Sequence, residues 1–430
     1  MNTHFLHDIT PYTNKKIETL LIILCVLFAP YRCYGFGALL GGNLTFFRTF
    51  GFLFIGTRII RLVNQRRVKF NEFCFYILLI IFYSVFTLLY SNNPSNSHFY
   101  VMMIGLVWTL FANEYLMSNP VLVHKLPFYV VISAIGPAAI GIYQYIVYQS
   151  TRVVPSLPLS FLVVAEGKTG ITYWQYLRIT STFMDPSYYG MFLVMTIVMG
   201  LGYLLVNKNS VFFTKRKRFI TIMVLALCTI GILTTLSITA IVGLCVGISL
   251  SIIMTGRVKI IKQAVIIAII FAIVLYGFNL IANINLIETV LFKLFNQTAH
   301  GVVSSGRSEF FANAIEKWLD NPIFGVGFGD LNFGMATSSA HNSFLTILSQ
   351  QGIIGFILHF IFLIALPTAY YFHNKVRRET LIVYYLPILS VIVQSLGYDL
   401  LYKLDTFFVL LAMYISSFYL DSRKEHVLAE

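Results

Sequence analysis

Residues 231–251 read GILTTLSITAIVGLCVGISLS and contain no charged side chain. A second stretch, AVIIAIIFAIVLYGFNLIANINLI at residues 264–287, is also free of charge. Apolar runs of about 18 residues or more predict transmembrane helices. A helix in a soluble protein would interrupt such a run with a polar face. The two stretches therefore indicate an integral membrane protein.

The composition extends this prediction to the whole chain. Of its 430 residues, 58% are hydrophobic and 11% are charged, whereas an average soluble domain has about 25% charged residues. We predict an all-α integral membrane protein, a single polytopic domain over residues 1–430 with about 12 transmembrane helices, within a range of roughly 10 to 13. The predicted spans are 17–30, 44–63, 73–90, 99–117, 126–148, 187–206, 219–235, 237–255, 263–283, 343–372, 381–398 and 404–421. No cleavable signal peptide is recognised, and the spacing of the five cysteines indicates neither disulfides nor a metal site.

The net charge of +13 would suggest a nucleic-acid partner in a soluble protein. In a membrane protein, the positive-inside rule is the better explanation. With a cytoplasmic N-terminus and 12 predicted spans, 21 of the 30 Lys and Arg residues fall in inner segments or at their edges. We therefore expect both termini to be cytoplasmic, and we expect no nucleic-acid partner.

Two predicted outer loops are longer than the other connections. The first covers residues 149–185 and the second covers residues 284–342, and connections of this length are commonly functional. The second loop contains an amphipathic helix that ends at Asn321-Pro322. Its predicted apolar face comprises Phe311, Ala314, Ile315, Trp318 and Leu319, and its polar face comprises Glu309, Asn313, Glu316 and Asp320. Such a helix either lies at the membrane interface or caps a cavity between spans.

The second loop also carries a recognisable series of motifs. It reads SSGRSEFFANAIEKWLDNPIFGVGFGDLN at residues 304–332 and continues with AHNSFLTILSQQGIIGF at residues 340–356. This region resembles the signature of the bacterial O-antigen polymerase and O-antigen ligase superfamily. The matching elements are Arg307, Trp318, the Pro-x-x-Gly-x-Gly segment Pro322–Gly327, His341-Asn342 and Gly352–Gly355.

Two upstream segments bear on the same resemblance. Arg178, followed by Phe183-Met-Asp185-Pro186, is similar to an Arg…Phe-x-Asp-Pro element of the family. Leu236-Ser237 is followed by Ile238, where an Arg is common in the family. The resemblance thus extends to the first outer loop but is incomplete between the two loops.

The resemblance implies a membrane glycosyltransferase that uses an undecaprenyl-diphosphate-linked oligosaccharide as donor. It also implies a bacterial cytoplasmic (inner) membrane location, an active site on the outer face, and no metal or other cofactor. The expected partners are the lipid-linked donor and acceptor and the membrane lipids, with a chain-length regulator protein as a further candidate.

The residue types fit this chemistry on physical grounds. A departing lipid diphosphate needs fixed cations, and the arginine fork binds phosphate bidentately. Arg178 and Arg307 both fall near outer span ends. The acceptor hydroxyl benefits from a base near neutral pH, for which His341 is the natural candidate. Further candidates, for base or substrate contact, are Asp185, Glu309, Trp318, Asp330 and Asn342.

The same residues also have common structural roles that involve no catalysis. An arginine near a span end commonly anchors to lipid phosphates, and a histidine at a helix start commonly serves as a cap. Gly325, Gly327 and Gly329 lack the strand–turn–helix context of a nucleotide site. We expect these glycines to give backbone flexibility near the headgroups.

Three functions remain open from the sequence. The first is a polysaccharide polymerase for O-antigen or capsule, which extends a lipid-linked repeat unit. The second is an O-antigen ligase, which transfers the glycan to lipid A–core. The third is a flippase for lipid-linked sugars, but transporters commonly place charges near the membrane centre, and Asp399 and Asp405 here lie near the outer ends of the last two predicted spans.

Overall fold

The computed structural model shows an all-α membrane protein. It describes residues 10–40, 44–65, 68–91, 94, 96–164, 170–171, 177–206, 214–255, 307–329, 340–373 and 376–429. The predicted span 263–283 and most of the predicted loop 284–342, including Asp330, lie outside the described residues.

The helices follow the apolar runs of the sequence. They are α1 Thr10–Phe28, α2 Gly37–Leu40, α3 Phe46–Gln65, α4 Glu72–Leu89, α5 Asn96–Met117, α6 Pro120–Ser133, α7 Ile135–Thr151, α8 Pro186–Val206, α9 Lys215–Thr235, α10 Ile238–Thr255, α11 Arg307–Asp320, α12 Ser343–Phe360, α13 Leu366–Phe372, α14 Arg378–Thr380, α15 Leu386–Gln394 and α16 Asp405–Ala429. π-Helical turns at Ile361–Ala365 and Leu381–Tyr385 join α12 to α13 and α14 to α15. A short antiparallel pair, β1 Gly170–Ile171 and β2 Leu177–Arg178, lies in the first predicted loop.

Seven helical stretches in the described part of the chain are long and apolar enough to cross a membrane, and two of them each join two of the helices above. They are Glu72–Leu89, His98–Met117, Pro120–Thr151, Pro186–Val206, Lys215–Thr235, Ile238–Thr255 and Ser343–Phe372. Helices α1, α3 and α16 coincide with other predicted spans but include charged side chains. The total of about 12 spans stays a prediction.

Two helices form the centre of the bundle. Nearly every residue of α8 is buried, and so is the run Phe407–Ile415 of α16. A helix that is apolar and covered on all sides belongs to the interior of a large bundle. Helices α3, α4 and α9 instead expose large apolar side chains such as Ile60, Phe82 and Phe219. These faces are suited to contact with lipid tails.

Helix α12 is broken at Gly352, where φ is 63° and ψ is −166°. The Pro322–Gly327 segment fits into this break. Ile353 N donates to the Pro322 carbonyl at 2.9 Å, and Gly327 N donates to the Gln350 carbonyl at 3.0 Å. The segment therefore satisfies backbone groups that a broken helix leaves without partners.

The glycines of this segment are needed for close packing. Gly325 and Gly327 have φ of 76° and 98°, values that favour glycine. A Cβ atom on Gly325 would overlap the backbone of Gln350, and one on Gly352 would overlap the Ile323 carbonyl. Gly325 and Gly327 were expected to give backbone flexibility. The structure instead shows that they allow the Pro322–Gly327 segment to pack closely against the broken helix.

A buried ion network lies at the end of the bundle opposite His341. Arg58 donates from Nε to Glu114 Oε2 at 2.6 Å and lies 3.3 Å from Glu18. Arg61 also pairs with Glu18. The two positive and two negative charges compensate each other, which offsets the cost of burying them. The network ties α1, α3 and α5 together.

Candidate functional site

Arg178 ends strand β2 and its half-buried side chain joins two helix ends. Its Nε atom donates to the Thr235 carbonyl at 3.2 Å, at the last residue of α9. Its Nη2 atom donates to Ser187 Oγ at 3.4 Å, in the first turn of α8. The guanidinium is therefore held in place while it keeps further N–H groups for a ligand.

Asp185 immediately precedes α8. Its Oδ1 atom accepts from Ser187 N at 2.6 Å, which caps the helix, and its Oδ2 atom accepts from the Tyr398 hydroxyl at 2.9 Å. A carboxylate at a helix N-terminus is stabilised by the exposed N–H groups there. Ser187 therefore contacts both side chains, Arg178 through its hydroxyl and Asp185 through its backbone N–H.

Tyr398 links this pair to His341. The Tyr398 ring centroid lies 5.3 Å from that of His341 and 5.9 Å from that of Tyr188. Its hydroxyl reaches Asp185, as described above, so one side chain touches both a predicted catalytic residue and a predicted substrate-binding residue. Tyr398 was not predicted from the sequence, because its position far along the chain gives no local motif.

His341 and Asn342 open α12. His341 has a left-handed backbone with φ of 52°. Asn342 caps the helix, since its Oδ1 atom accepts from Phe344 N at 2.9 Å and from Leu345 N at 3.1 Å. Its Nδ2 atom donates to the Leu396 carbonyl at 2.9 Å. Asn342 thus fixes the segment from which the imidazole projects.

Helix α11 packs against His341 through a face that differs from the predicted one. Phe310 and Ala314 are buried, and the Phe310 ring lies 5.1 Å from the imidazole. Ile315 and Leu319, which were expected on the packed apolar face, are exposed to 42% and 63%. The helix turns its Phe310 edge to the site and leaves these two side chains at the surface, as an interfacial helix does.

The other residues predicted in this region take different places. Glu309 is exposed. Trp318 donates from Nε1 to the Pro322 carbonyl at 3.1 Å, so it also supports the turn after α11. Arg307 is the first residue of α11, but its side chain is not among the parts that the structure describes. Asp330 lies outside the described residues.

Two further cations border the cluster. The Arg32 guanidinium lies 5.6 Å from the Tyr188 ring centroid and donates to the Lys403 carbonyl. Lys403 Nζ lies 2.6 Å from Asp399 Oδ2. One feature of the sequence could have indicated Arg32 and Lys403, because both belong to the minority of basic residues on the predicted outer side.

Asp399 and Lys403 each shift the pKa of the other toward the ionised form. Burial alone would raise the pKa of the Asp399 carboxyl, but the charge and hydrogen bonds of Lys403 and the Ser343 hydroxyl lower it overall. Burial alone would lower the pKa of Lys403, but Asp399 raises it overall. Both groups therefore stay ionised across the neutral pH range.

A family comparison matches the part of the chain that runs from α9 to the end of α12. Residues 222–360 match the O-antigen ligase family model. The match confirms the resemblance to the O-antigen polymerase and ligase superfamily. Members of this family are membrane glycosyltransferase-like enzymes. A search of curated proteins finds no match to the chain.

The O-antigen ligase family region holds only part of the cluster. It contains Arg307, Trp318 and His341, whereas Arg178, Asp185 and Tyr398 lie outside it. Folding brings Arg178, Asp185 and Tyr398 to His341. The resulting group of guanidinium, carboxylate, phenol and imidazole can bind an anion and accept a proton.

Proposed function

We propose that the chain is a polysaccharide polymerase for repeat units of the O-antigen or capsule type. It transfers a glycan from undecaprenyl diphosphate to the non-reducing end of a lipid-linked repeat unit. The reaction takes place on the outer face of a bacterial cytoplasmic membrane, with both termini on the cytoplasmic side.

The convergence of Arg178, Asp185 and His341 through Tyr398 carries this proposal. A guanidinium held by two protein acceptors suits the diphosphate of the donor. A carboxylate and an imidazole near the same tyrosine suit the removal of a proton from a hydroxyl. All three residues belong to motifs of the family region or of the upstream element that resembles the family.

The proposed reaction is a direct displacement. The acceptor hydroxyl oxygen attacks the anomeric carbon, and the bond from that carbon to the diphosphate oxygen breaks. The diphosphate leaves on its lipid with the bonding electrons, stabilised by Arg178 and Arg307. His341 takes the hydroxyl proton or orients the hydroxyl, with Asp185 beside it. A single displacement inverts the anomeric configuration, and fixed cations supply much of the stabilisation.

The second candidate function is the ligase reaction, which the matched family description favours. The donor chemistry would be the same, but the acceptor would be lipid A–core. A null strain separates the two reactions. Single repeats on the final acceptor indicate a polymerase, whereas an acceptor without any glycan indicates a ligase.

The experiment is a reconstituted polymerisation with the lipid-linked repeat unit of the host strain, in the presence of chelator. The wild-type protein is compared with the variants His341→Ala, Arg178→Ala and Arg307→Ala. The matched controls are Arg152→Ala and His373→Ala, because both residues are exposed and lie outside the cluster. Products are separated on a gel, and folding is checked by size-exclusion chromatography.

A polymer ladder from the wild type and both controls, but from none of the three site variants, supports the polymerase and its site. A ladder that survives all three substitutions overturns the proposed site. Folded wild-type protein that forms no ladder, but transfers glycan to lipid A–core, replaces the polymerase by the ligase.

A further inference from the structure

A polar cavity lies beside the cluster, on the other side of the segment that carries Tyr398. It has a volume of about 50 Å³. Its polar wall includes Thr346, Gln350, Gln351, Asp399, Tyr402 and Lys403. Phe328, Met102 and Ile347 contribute apolar surface. A few polar groups beside apolar and aromatic side chains resemble the lining of a ligand-binding site, in a space far smaller than the roughly 300–1,000 Å³ of a pocket that holds a whole small molecule.

The cavity shares its wall with the candidate active site. Ser343, two residues after His341, donates to Asp399 Oδ1 at 3.0 Å and accepts from Leu400 N at 2.9 Å. Asp399 directly follows Tyr398, whose ring packs on His341. The segments that hold the imidazole therefore also form the boundary of the cavity.

The polar wall is held rigid by side chains deep in the bundle. Gln351 donates from Nε2 to Ser84 Oγ at 3.2 Å, and its Oε1 atom lies 3.3 Å from His359 Nε2. His359 Nδ1 lies 2.9 Å from the Tyr402 hydroxyl. With the Gln351 oxygen as acceptor, Nε2 carries the imidazole proton and Tyr402 donates to Nδ1. The chain of hydrogen bonds is complete with a neutral imidazole.

The carboxylate and the ammonium group at the cavity also compensate each other, and the imidazoles of His98 and His359 complete its titratable lining. Asp399 and Lys403 form an ion pair at 2.6 Å, so neither offers an uncompensated charge to a ligand. A phosphate or a metal ion would gain little there. A neutral ligand with several hydroxyl or amide groups matches the wall of amides and hydroxyls.

The volume limits what the cavity can hold. One water needs about 10–15 Å³ of such a cavity, so there is room for about three to five waters. That space admits a hydroxymethyl or acetamido group but not a whole sugar ring.

We propose that this cavity is a specificity subsite for a neutral polar substituent of the acceptor sugar. The substituent enters behind His341, while the reacting hydroxyl of the same sugar faces the imidazole. This inference rests on the proposed glycosyltransferase function. It adds a determinant of acceptor choice that is separate from the binding of the donor diphosphate.

The test fills the cavity with a larger side chain and measures the KM for the acceptor and the KM for the donor separately. Ile347→Phe adds a ring at the cavity wall, and Met102→Phe does the same from α5 should the first variant fail to fold. The matched control is Ile357→Phe, the same change on the exposed side of α12. The acceptor is a soluble, fluorescently tagged repeat unit without diphosphate, which cannot act as donor. The donor is the lipid-linked repeat unit.

We expect the KM for the soluble acceptor to rise by about tenfold in the filled variants, which is the loss of one to two hydrogen bonds. The KM for the donor should change by less than about twofold, and Ile357→Phe should match the wild type. An unchanged acceptor KM in a folded, active filled variant overturns the subsite and leaves the proposed function intact.

A second readout does not depend on catalysis. Saturation-transfer NMR with N-acetylglucosamine and glucose is recorded on the wild type and the filled variants in lipid nanodiscs. Transfer to exocyclic protons of either sugar in the wild type, lost in the filled variants, supports the subsite even if no transferase activity is found. No transfer in the wild type, or equal transfer in all proteins, overturns it.

Discussion

Replacement of Gly352 by alanine tests the interlock between the broken helix and the Pro322–Gly327 segment. Gly352 has φ of 63° and ψ of −166°, a combination that is accessible almost only to glycine. An added Cβ atom would overlap the Ile323 carbonyl oxygen. The segment must therefore move out of the break in a Gly352→Ala protein.

The cost follows from two contributions. The disfavoured backbone conformation costs about 1–3 kcal/mol. Displacement of the segment weakens the bonds from Ile353 N to the Pro322 carbonyl, at 2.9 Å, and from Ile354 N to the Ile323 carbonyl, at 3.4 Å. Each is worth about 1 kcal/mol. We expect a total loss of about 3–5 kcal/mol in the free energy of unfolding.

The assay is thermal unfolding in lipid nanodiscs. With an unfolding entropy of about 2 cal/mol/K per residue, this loss lowers the Tm of a 430-residue chain by about 3–6 °C. The matched control is Gly56→Ala, because a Cβ atom at that helical position meets no neighbouring atom. Alanine there should raise the Tm by about 1 °C through its higher helix propensity. A Gly352→Ala protein as stable as the wild type would refute the interlock.

Three further predictions concern the cluster and its surroundings. Tyr398→Phe removes the hydroxyl that donates to Asp185. We expect the initial rate of polymer formation to fall about tenfold. An unchanged rate would show that this hydrogen bond does not position the carboxylate. Arg178→Lys keeps the charge but loses the planar fork, so the KM for the lipid-linked donor should rise about tenfold, and a KM equal to the wild-type value would contradict bidentate binding. The Asp399–Lys403 pair stabilises the fold above the ordinary aspartate pKa of about 3.9 and below the ordinary lysine pKa of about 10.4. Its contribution is lost as the pH falls through the lowered pKa of Asp399 or rises through the raised pKa of Lys403. The Tm difference between the wild type and Asp399→Asn/Lys403→Met should therefore be constant between those limits and change outside them.

The long apolar helices were predictable because their signal is local. The predicted span 187–206 corresponds to Pro186–Val206, and the span 343–372 corresponds to Ser343–Phe372. The break at Gly352 was not predicted, since an apolar run contains no mark of a local change in backbone direction. The predicted span 126–148 is likewise two helices that meet at Ala134.

The site was only partly predictable for the same physical reason. Motifs near one another in the chain indicated Arg178 with Asp185 and, separately, His341. Tyr398 brings them together, yet it lies 213 residues from Asp185 and belongs to no motif. Arg32 was also missed, because its contact with Tyr188 joins the segment after α1 to the first turn of α8, which is distant in the chain.

By itself, the sequence determined the membrane class, the positions of most helices and the resemblance to the O-antigen polymerase and ligase superfamily. These features depend on hydrophobic periodicity and on motifs within a few tens of residues. The tertiary structure decided which polar residues meet, how the Pro322–Gly327 segment fits the broken helix, and where a polar cavity remains beside His341. Those properties depend on packing between residues that are distant in the chain, and no local pattern of side chains encodes such packing.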